Sequence, residues 1–110
     1  MNETTDLRAV AASLIEKASE ASSGRATHVV HAAPGGRLSQ VILALLEGRS
    51  LSEHENPGEA MLHVLSGSVA LSAGEDTWDL RAGEITAIPQ QRHALTAHED
   101  SVVVLTVCLG

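Results

Sequence analysis

The 110-residue sequence predicts a single, mostly-β domain with one helix at its N-terminus. From residue 27 onward, short runs of β-branched and aliphatic residues alternate with turn residues, at a spacing of about ten residues. Before them, apolar residues recur at three- and four-residue intervals over residues 6–22, as on one face of an amphipathic helix. We therefore expect a helix within residues 1–24 and a β-barrel or sandwich within residues 25–110.

The helix prediction includes both ends of the helix. Asp6 is suited to cap the first turn, and Ser22, Ser23 and Gly24 end the pattern. The apolar stripe consists of Leu7, Val10, Ala11, Leu14, Ile15 and Ala18. Such a stripe must be buried, either on the barrel of its own chain or against a second copy.

The predicted strands are short and bounded by turn residues. They are expected at residues 27–32, 38–46, 60–65, 69–71, 77–80, 85–88, 94–97 and 102–109. Residues 41–46 and 102–109 are hydrophobic at both alternating positions, so neither face of these two strands suits water. One face of each strand fills the core, and the other needs the helix or a second subunit. We expect a homodimer.

Composition excludes several classes of partner. The net charge is −7 and the seven Lys and Arg residues are scattered, so there is no basic patch for nucleic acid. No apolar run approaches the ~20 residues of a membrane span, and the polar N-terminus has no signal-peptide pattern. These features favour a cytoplasmic protein. Gly35 and Gly36 are expected to form a turn rather than a phosphate-binding loop, so no nucleotide cofactor is expected.

The core must be aliphatic, because the chain has no Phe or Tyr and a single Trp. The single cysteine, Cys108, lies in an apolar run and is expected to be a buried, inert thiol.

Two stretches of the chain have a specific order of residues. In residues 48–67, Gly48 is followed after five residues by His54, and Gly67 closes the stretch. In the second stretch, Gly83 is followed by a proline at the sixth position and then by His93.

These two stretches, in this order, resemble the two motifs of the cupin superfamily. His93 comes one residue earlier after Pro89 than the second motif has it. The resemblance covers roughly residues 38–108. It implies a double-stranded β-helix, or jelly-roll barrel, which here follows an N-terminal α-helix.

The resemblance also implies a metal site of three histidines and one glutamate inside the barrel. The first and last histidine positions hold His54 and His93, whereas the second holds Asn56 and the glutamate position holds Ala60. An Asn carbonyl is a poor ligand for metals that imidazole favours, and Ala offers no donor. The expected cofactor is therefore a divalent ion (Fe, Mn, Ni or Zn) at low occupancy, or none.

Glu59 and His63 are further candidates for this site. Glu59 is adjacent to the vacated glutamate position and needs a shifted strand to point inward. Strand alternation places Ala60 and His63 on opposite faces. The resemblance implies that Ala60 faces the cavity, so His63 is expected to face away.

The other histidines are not expected to take part. His98 is expected on the opposite face from His93, in a loop or at the surface. The spacing of His28 and His31 places them on opposite sides of the first strand.

Three functions remain open. The chain is a module that binds a small molecule or a weakly held metal in its cavity, or a metal-dependent oxygenase or isomerase, or a structural, partner-binding dimeric scaffold. The fold alone does not decide among them. The volume of the cavity and the number of donors that converge in it discriminate among the three.

Overall fold

A computed structural model describes residues 4–55 and 58–109, except for the side chains of Glu53 and His54. The described residues form one helix and nine strands. In chain order they are α1 (Leu7–Glu20), β1 (Arg25–Ala32), β2 (Leu38–Leu45), β3 (Ser50–His54), β4 (Gly58–Ser66), β5 (Ser68–Ala73), β6 (Asp76–Arg81), β7 (Ile85–Ala87), β8 (His93–Ala97) and β9 (Ser101–Leu109).

The strands make two antiparallel sheets that enclose the core. The five-stranded sheet has the order β1-β2-β9-β4-β7, and the four-stranded sheet has the order β3-β8-β5-β6. Their inner faces supply one aliphatic cluster, to which Leu43, Leu62 and Val103 contribute from the first sheet and Leu71 and Leu95 from the second. The predicted jelly-roll architecture with an N-terminal helix is confirmed.

Burial alternates along the strands as the pattern of the sequence predicts. In β4, Ala60, Leu62 and Val64 are buried, whereas Met61 between them is 38% exposed. Because successive side chains point to opposite faces, one hydrophobic position in two is enough to fill the core.

Helix α1 packs on the outer face of the five-stranded sheet. The Asp6 carboxylate caps it by accepting hydrogen bonds from the backbone N–H groups of Arg8 (3.0 Å) and Ala9 (3.2 Å). Leu14 and Ala18 are buried against a second cluster that includes Ile42 of β2. The chain's own helix thus covers the part of this outer face that Ile42, Ala44, Val102 and Val104 form. No helix among the described residues is long and apolar enough to cross a membrane.

Two local predictions are wrong. The sequence predicts no strand at Ser50–His54, whose polar residues lack a hydrophobic period, yet β3 forms there by pairing with β8. Cys108 is exposed rather than buried. It lies opposite Glu59 of β4, on a part of the outer face that α1 does not reach.

Candidate functional site

A tight turn before β8 determines where His93 lies. The Ile88 N–H donates to the Ala60 carbonyl (2.9 Å), which ties the chain to β4, and the Gln91 N–H donates to the Pro89 carbonyl (2.9 Å), which bends it. β8 begins two residues later at His93. The turn therefore places His93, the first residue of β8, at one end of the barrel.

Pairing on both sides holds His93 within the four-stranded sheet. In the strand register its partners are His54 of β3 and Ala73 of β5. The His93 residue is 2% exposed. Its neighbours along the inner face, Leu95 and Ala97, are also buried, so His93 continues the inward-facing row of β8.

A hydrogen bond to the backbone shows which nitrogen of the His93 ring carries a proton. Its Nδ1 lies 2.9 Å from the backbone carbonyl oxygen of Gln91. A carbonyl oxygen accepts and cannot donate, so Nδ1 carries a proton. In the neutral ring the lone pair is then on Nε2, the arrangement found where a histidine binds a metal through one nitrogen and is oriented through the other.

The ring borders a small cavity inside the barrel. Among the described residues the cavity is lined by seven aliphatic side chains, which include Leu51, Leu62 and Ile88, and by His93 as the one polar residue. Its volume is about 30 Å³. A cavity of this size is on the scale of one or two water molecules, so the aliphatic side chains nearly fill the barrel.

The structure describes two of the four positions that the resemblance implies. His93 lies in the cavity wall, and Ala60 is 5% exposed on the inner face of β4, where its methyl group provides no donor. The backbone of His54 is paired with that of His93, but the His54 side chain and the whole of Asn56 lie outside the described residues. The donors at these positions therefore do not make a four-ligand protein site.

Glu59 and His63 are placed away from the cavity. Glu59 is exposed and opposite Cys108, and His63 is opposite Val104 and Ile85 on the same outer face. Among the side chains that the structure describes, which leave out those of Glu53 and His54, no three His, Cys, Asp or Glu are grouped so that they could hold an ion.

Among the remaining histidines one prediction is confirmed and one is wrong. His98 is at the surface, with its Nε2 2.9 Å from the Asp79 carboxylate. His28 and His31 do not lie on opposite faces. A bulge between Val29 and His31 shifts the register, so that His28 is opposite Ile42 and His31 is opposite Gln40, two positions on one face of β2.

The sequence does not predict that Gln91 orients the His93 ring. Its contribution is a backbone carbonyl, which every residue has, so the identity of the side chain gives no signal. The one unusual feature in the sequence is the short Pro89–His93 spacing, within which this carbonyl lies.

Comparisons with known proteins agree with the geometry. Residues 41–109 match the Cupin domain family. A conserved protein of unknown function from Streptococcus pyogenes is similar in structure, with a TM-score of 0.76 and 21% identity over 100% of this chain and 90% of that one. A cupin superfamily protein from Desulfitobacterium hafniense gives a TM-score of 0.73 and 16% identity over 78% of each chain.

A third similar structure is an RmlC-like cupin protein from Desulfovibrio desulfuricans, with a TM-score of 0.67 and 22% identity over 76% of this chain and 81% of that one. These identities show a shared fold. A sequence comparison with curated proteins gives no match. Since the family match extends over more than half of the sequence and includes β4, β8 and β9, the chain belongs to the cupin family.

Proposed function

We propose that this cupin is a binding protein that takes one weakly held divalent metal ion at the His93 end of its barrel. His93 and His54 supply the imidazole ligands, and water completes the coordination. The observation that carries the proposal is the position of His93. It is a polar side chain buried in an aliphatic cavity wall, and its strand partner is a second histidine.

The orientation of His93 supports this assignment. A histidine that binds a metal through one ring nitrogen donates its other N–H to a carbonyl or carboxylate. The Gln91 carbonyl meets this requirement at 2.9 Å. The hydrogen bond selects the tautomer whose Nε2 can bind an ion, and it restricts rotation of the ring before the ion arrives.

The small number of donors supports weak rather than tight binding. Structural zinc sites use four protein ligands and catalytic zinc sites use three. Here Ala60 stands at a vacated ligand position, and Glu59 and His63 lie on the outer face. Two imidazoles and water form an exchangeable site for Zn²⁺, Ni²⁺, Mn²⁺ or Fe²⁺.

The size of the cavity supports an ion rather than an organic ligand. Small-molecule sites enclose about 300–1,000 Å³, whereas the space beside His93 is about 30 Å³. A metal ion with one or two waters matches that space. An organic substrate requires several aliphatic side chains to move.

The test is metal binding by protein purified without a histidine tag. As isolated, the protein should contain well under one equivalent of metal by inductively coupled plasma mass spectrometry. In equilibrium dialysis against Zn²⁺ it should saturate at about one equivalent, which leaves with a chelator. His93→Ala and His54→Ala should each weaken binding by at least about 10- to 100-fold, the loss that even an outer partner of a ligand causes.

His98→Ala is the matched control, because His98 is an exposed histidine already bonded to Asp79. It should leave Zn²⁺ binding unchanged. Binding that survives both His54→Ala and His93→Ala contradicts the proposal. One tightly held equivalent that is lost in both variants would favour a metal-dependent oxygenase or isomerase instead.

A structural, partner-binding scaffold is the second candidate, and one observation favours it. The barrel interior is packed with aliphatic side chains almost to the exclusion of a cavity, whereas grooves on the outside reach about 430 Å³. In this case His54 and His93 bind no metal. Absence of Zn²⁺ binding at millimolar concentration would select this alternative.

A further inference from the structure

A groove on the side of the barrel opens between the edges of the two sheets, β1 and β3. Its volume is about 300 Å³, at the lower end of the range of about 300–1,000 Å³ for small-molecule sites. The buried Leu43 and the half-buried Leu51 form its floor. The exposed Ser23, Arg25 and Thr27 form its rim. The groove thus combines an apolar floor with a polar rim.

A second arginine, Arg49, reaches this rim from the other sheet. It precedes β3, and alternation from the core residue Leu51 puts it on the inner side of that strand. Its side chain lies against Gly24, the residue before Arg25. A Cβ on Gly24 would lie 2.7 Å from the Cγ and 2.9 Å from the Nε of Arg49, so the glycine leaves room for this side chain. Two arginines that are far apart in the sequence therefore lie at one end of the groove.

The described part of the chain provides no carboxylate partner for either arginine. Neither Arg25 nor Arg49 forms an ion pair there, although the chain has 14 acidic residues. Two like charges at one end of a groove repel each other, and an anion between them reduces that repulsion. Arginine presents its N–H groups in a planar fork that matches the two oxygens of a carboxylate. The pair is therefore suited to bind a carboxylate.

Two hydroxyl groups lie beside the arginines. The Ser23 Oγ accepts a hydrogen bond from the Arg25 N–H at 3.3 Å, so the hydroxyl can donate its own proton to an anion. Thr27 lines the same groove and has the floor residue Leu43 as its partner in the register. Guanidinium groups, hydroxyls and leucines thus follow one another in the groove. This order matches a carboxylate head with an aliphatic chain behind it.

We propose that the groove binds a small aliphatic carboxylate, at a site separate from the His93 end of the barrel. The two guanidinium groups hold the carboxylate, the Ser23 hydroxyl donates to it, and the aliphatic chain lies on the leucine floor. β3 begins beside this groove and ends at His54, the strand partner of His93. The two sites are therefore at opposite ends of one strand, and the carboxylate site does not depend on metal binding.

Isothermal titration calorimetry of the untagged full chain with octanoate tests the proposal. One equivalent should bind with a dissociation constant in the millimolar range or below. Arg25→Gln and Arg49→Gln should each weaken binding by at least about 10-fold, because each removes a charge-assisted hydrogen-bonded pair. Arg49→Lys keeps the charge but not the planar fork, so it should recover only part of the binding that Arg49→Gln loses.

Arg37→Gln is the matched control, because it removes the same charge from an exposed arginine elsewhere. Arg37 precedes β2, whereas Arg25 pairs with Leu45 at the end of that strand. Arg37→Gln should leave octanoate binding unchanged, and so should His93→Leu at the other site. Circular dichroism verifies that all variants fold. Loss of binding in either control, or unchanged binding in both Arg25→Gln and Arg49→Gln, overturns the proposal.

A series of ligands tests the apolar part of the site. Acetate should bind at least about 10-fold more weakly than octanoate, since each methylene group buried on the leucines adds affinity. Inorganic phosphate at equal concentration should not displace octanoate. Equal binding of acetate and octanoate, or displacement by phosphate, would show a site for charge alone and overturn the proposal. Absence of octanoate binding at millimolar concentration would overturn it as well.

Discussion

Two ends of the barrel each bury one polar residue among the described residues, Ser101 at one end and His93 at the other. The Ser101 hydroxyl accepts a hydrogen bond from the Ser68 N–H at 3.0 Å. It shares its own proton between the carbonyl oxygens of Ser68 (3.0 Å) and Glu99 (2.8 Å). His93 donates from Nδ1 to the carbonyl of Gln91, two residues before it in the chain.

These two buried groups have different relations to the fold. Ser101 joins β9 to the start of β5, 33 residues earlier, and its hydroxyl accepts a hydrogen bond from the Ser68 backbone N–H. The His93 bond to Gln91 is local, because the two residues are two positions apart in the chain. The fold explains why Ser101 is buried. His93, in contrast, borders the aliphatic cavity and has a second histidine as its strand partner, which is why we assign a function to the His93 end.

The largest effect should come from Gly67→Ala at the Ser101 end. Gly67 has a φ of +83°, and a Cβ there would lie 2.5 Å from the Asp100 carbonyl oxygen and 2.8 Å from the Ser101 Cα. Backbone atoms cannot move aside as a flexible side chain can. The cost of the left-handed backbone conformation and the cost of the steric clash therefore add together. We expect a loss of about 3 kcal/mol or more in the free energy of unfolding, measured by urea denaturation with circular dichroism.

Gly35→Ala separates the two contributions. Gly35 has a similar φ of +73°, but nothing lies within 4 Å of its Cβ position. This control should lose only about 1–2 kcal/mol, the cost of the left-handed backbone alone. Equal losses in the two variants would show that the close packing of Gly67 on Ser101 contributes nothing.

Ser101→Ala should have the next largest effect. The variant leaves the partly buried Ser68 N–H without its partner, at a cost of about 1–3 kcal/mol. The control is Ser50→Ala, which removes an exposed hydroxyl that pairs with Thr96 and should change stability by less than about 0.5 kcal/mol. If Ser101→Ala is as stable as Ser50→Ala, the hydrogen bonds of the Ser101 hydroxyl do not stabilise this end of the barrel.

The sequence predicts the Ser101 end of the molecule only in outline. Strand β9 and the turn at residues 98–100 follow from a hydrophobic run and its polar boundary. The three hydrogen bonds of Ser101 depend on residues 33 positions apart, and no local pattern reveals that meeting. Strand β3 is not predicted for the same reason. Its polar residues have no hydrophobic period, and the strand forms because it pairs with β8.

At the His93 end of the barrel the sequence predicts more of the site. The resemblance to the two cupin motifs, anchored at Gly48 and Gly83, identifies His54 and His93 as a pair of ligand positions. Alternation along β4 likewise predicts that Ala60 is inward and His63 outward, as the burial and register show. Alternation fails at His28 and His31, where a bulge changes the count. A bulge is decided by the pairing of two strands, so the sequence of one strand does not reveal it.

The smallest effect on stability should come from His93→Leu, and this variant tests the difference between the two ends most directly. Leucine is close to histidine in size and matches the aliphatic cavity wall, and Gln91, whose carbonyl accepts the His93 hydrogen bond, is an exposed residue. We expect the free energy of unfolding to change by less than about 1 kcal/mol, since replacing a buried polar group by an apolar group of similar shape is nearly neutral. Zn²⁺ binding should nevertheless be lost. If the variant keeps its stability but no longer binds Zn²⁺, His93 is required for the metal site and not for the fold. If it loses as much stability as Ser101→Ala, His93 is a structural residue, as Ser101 is.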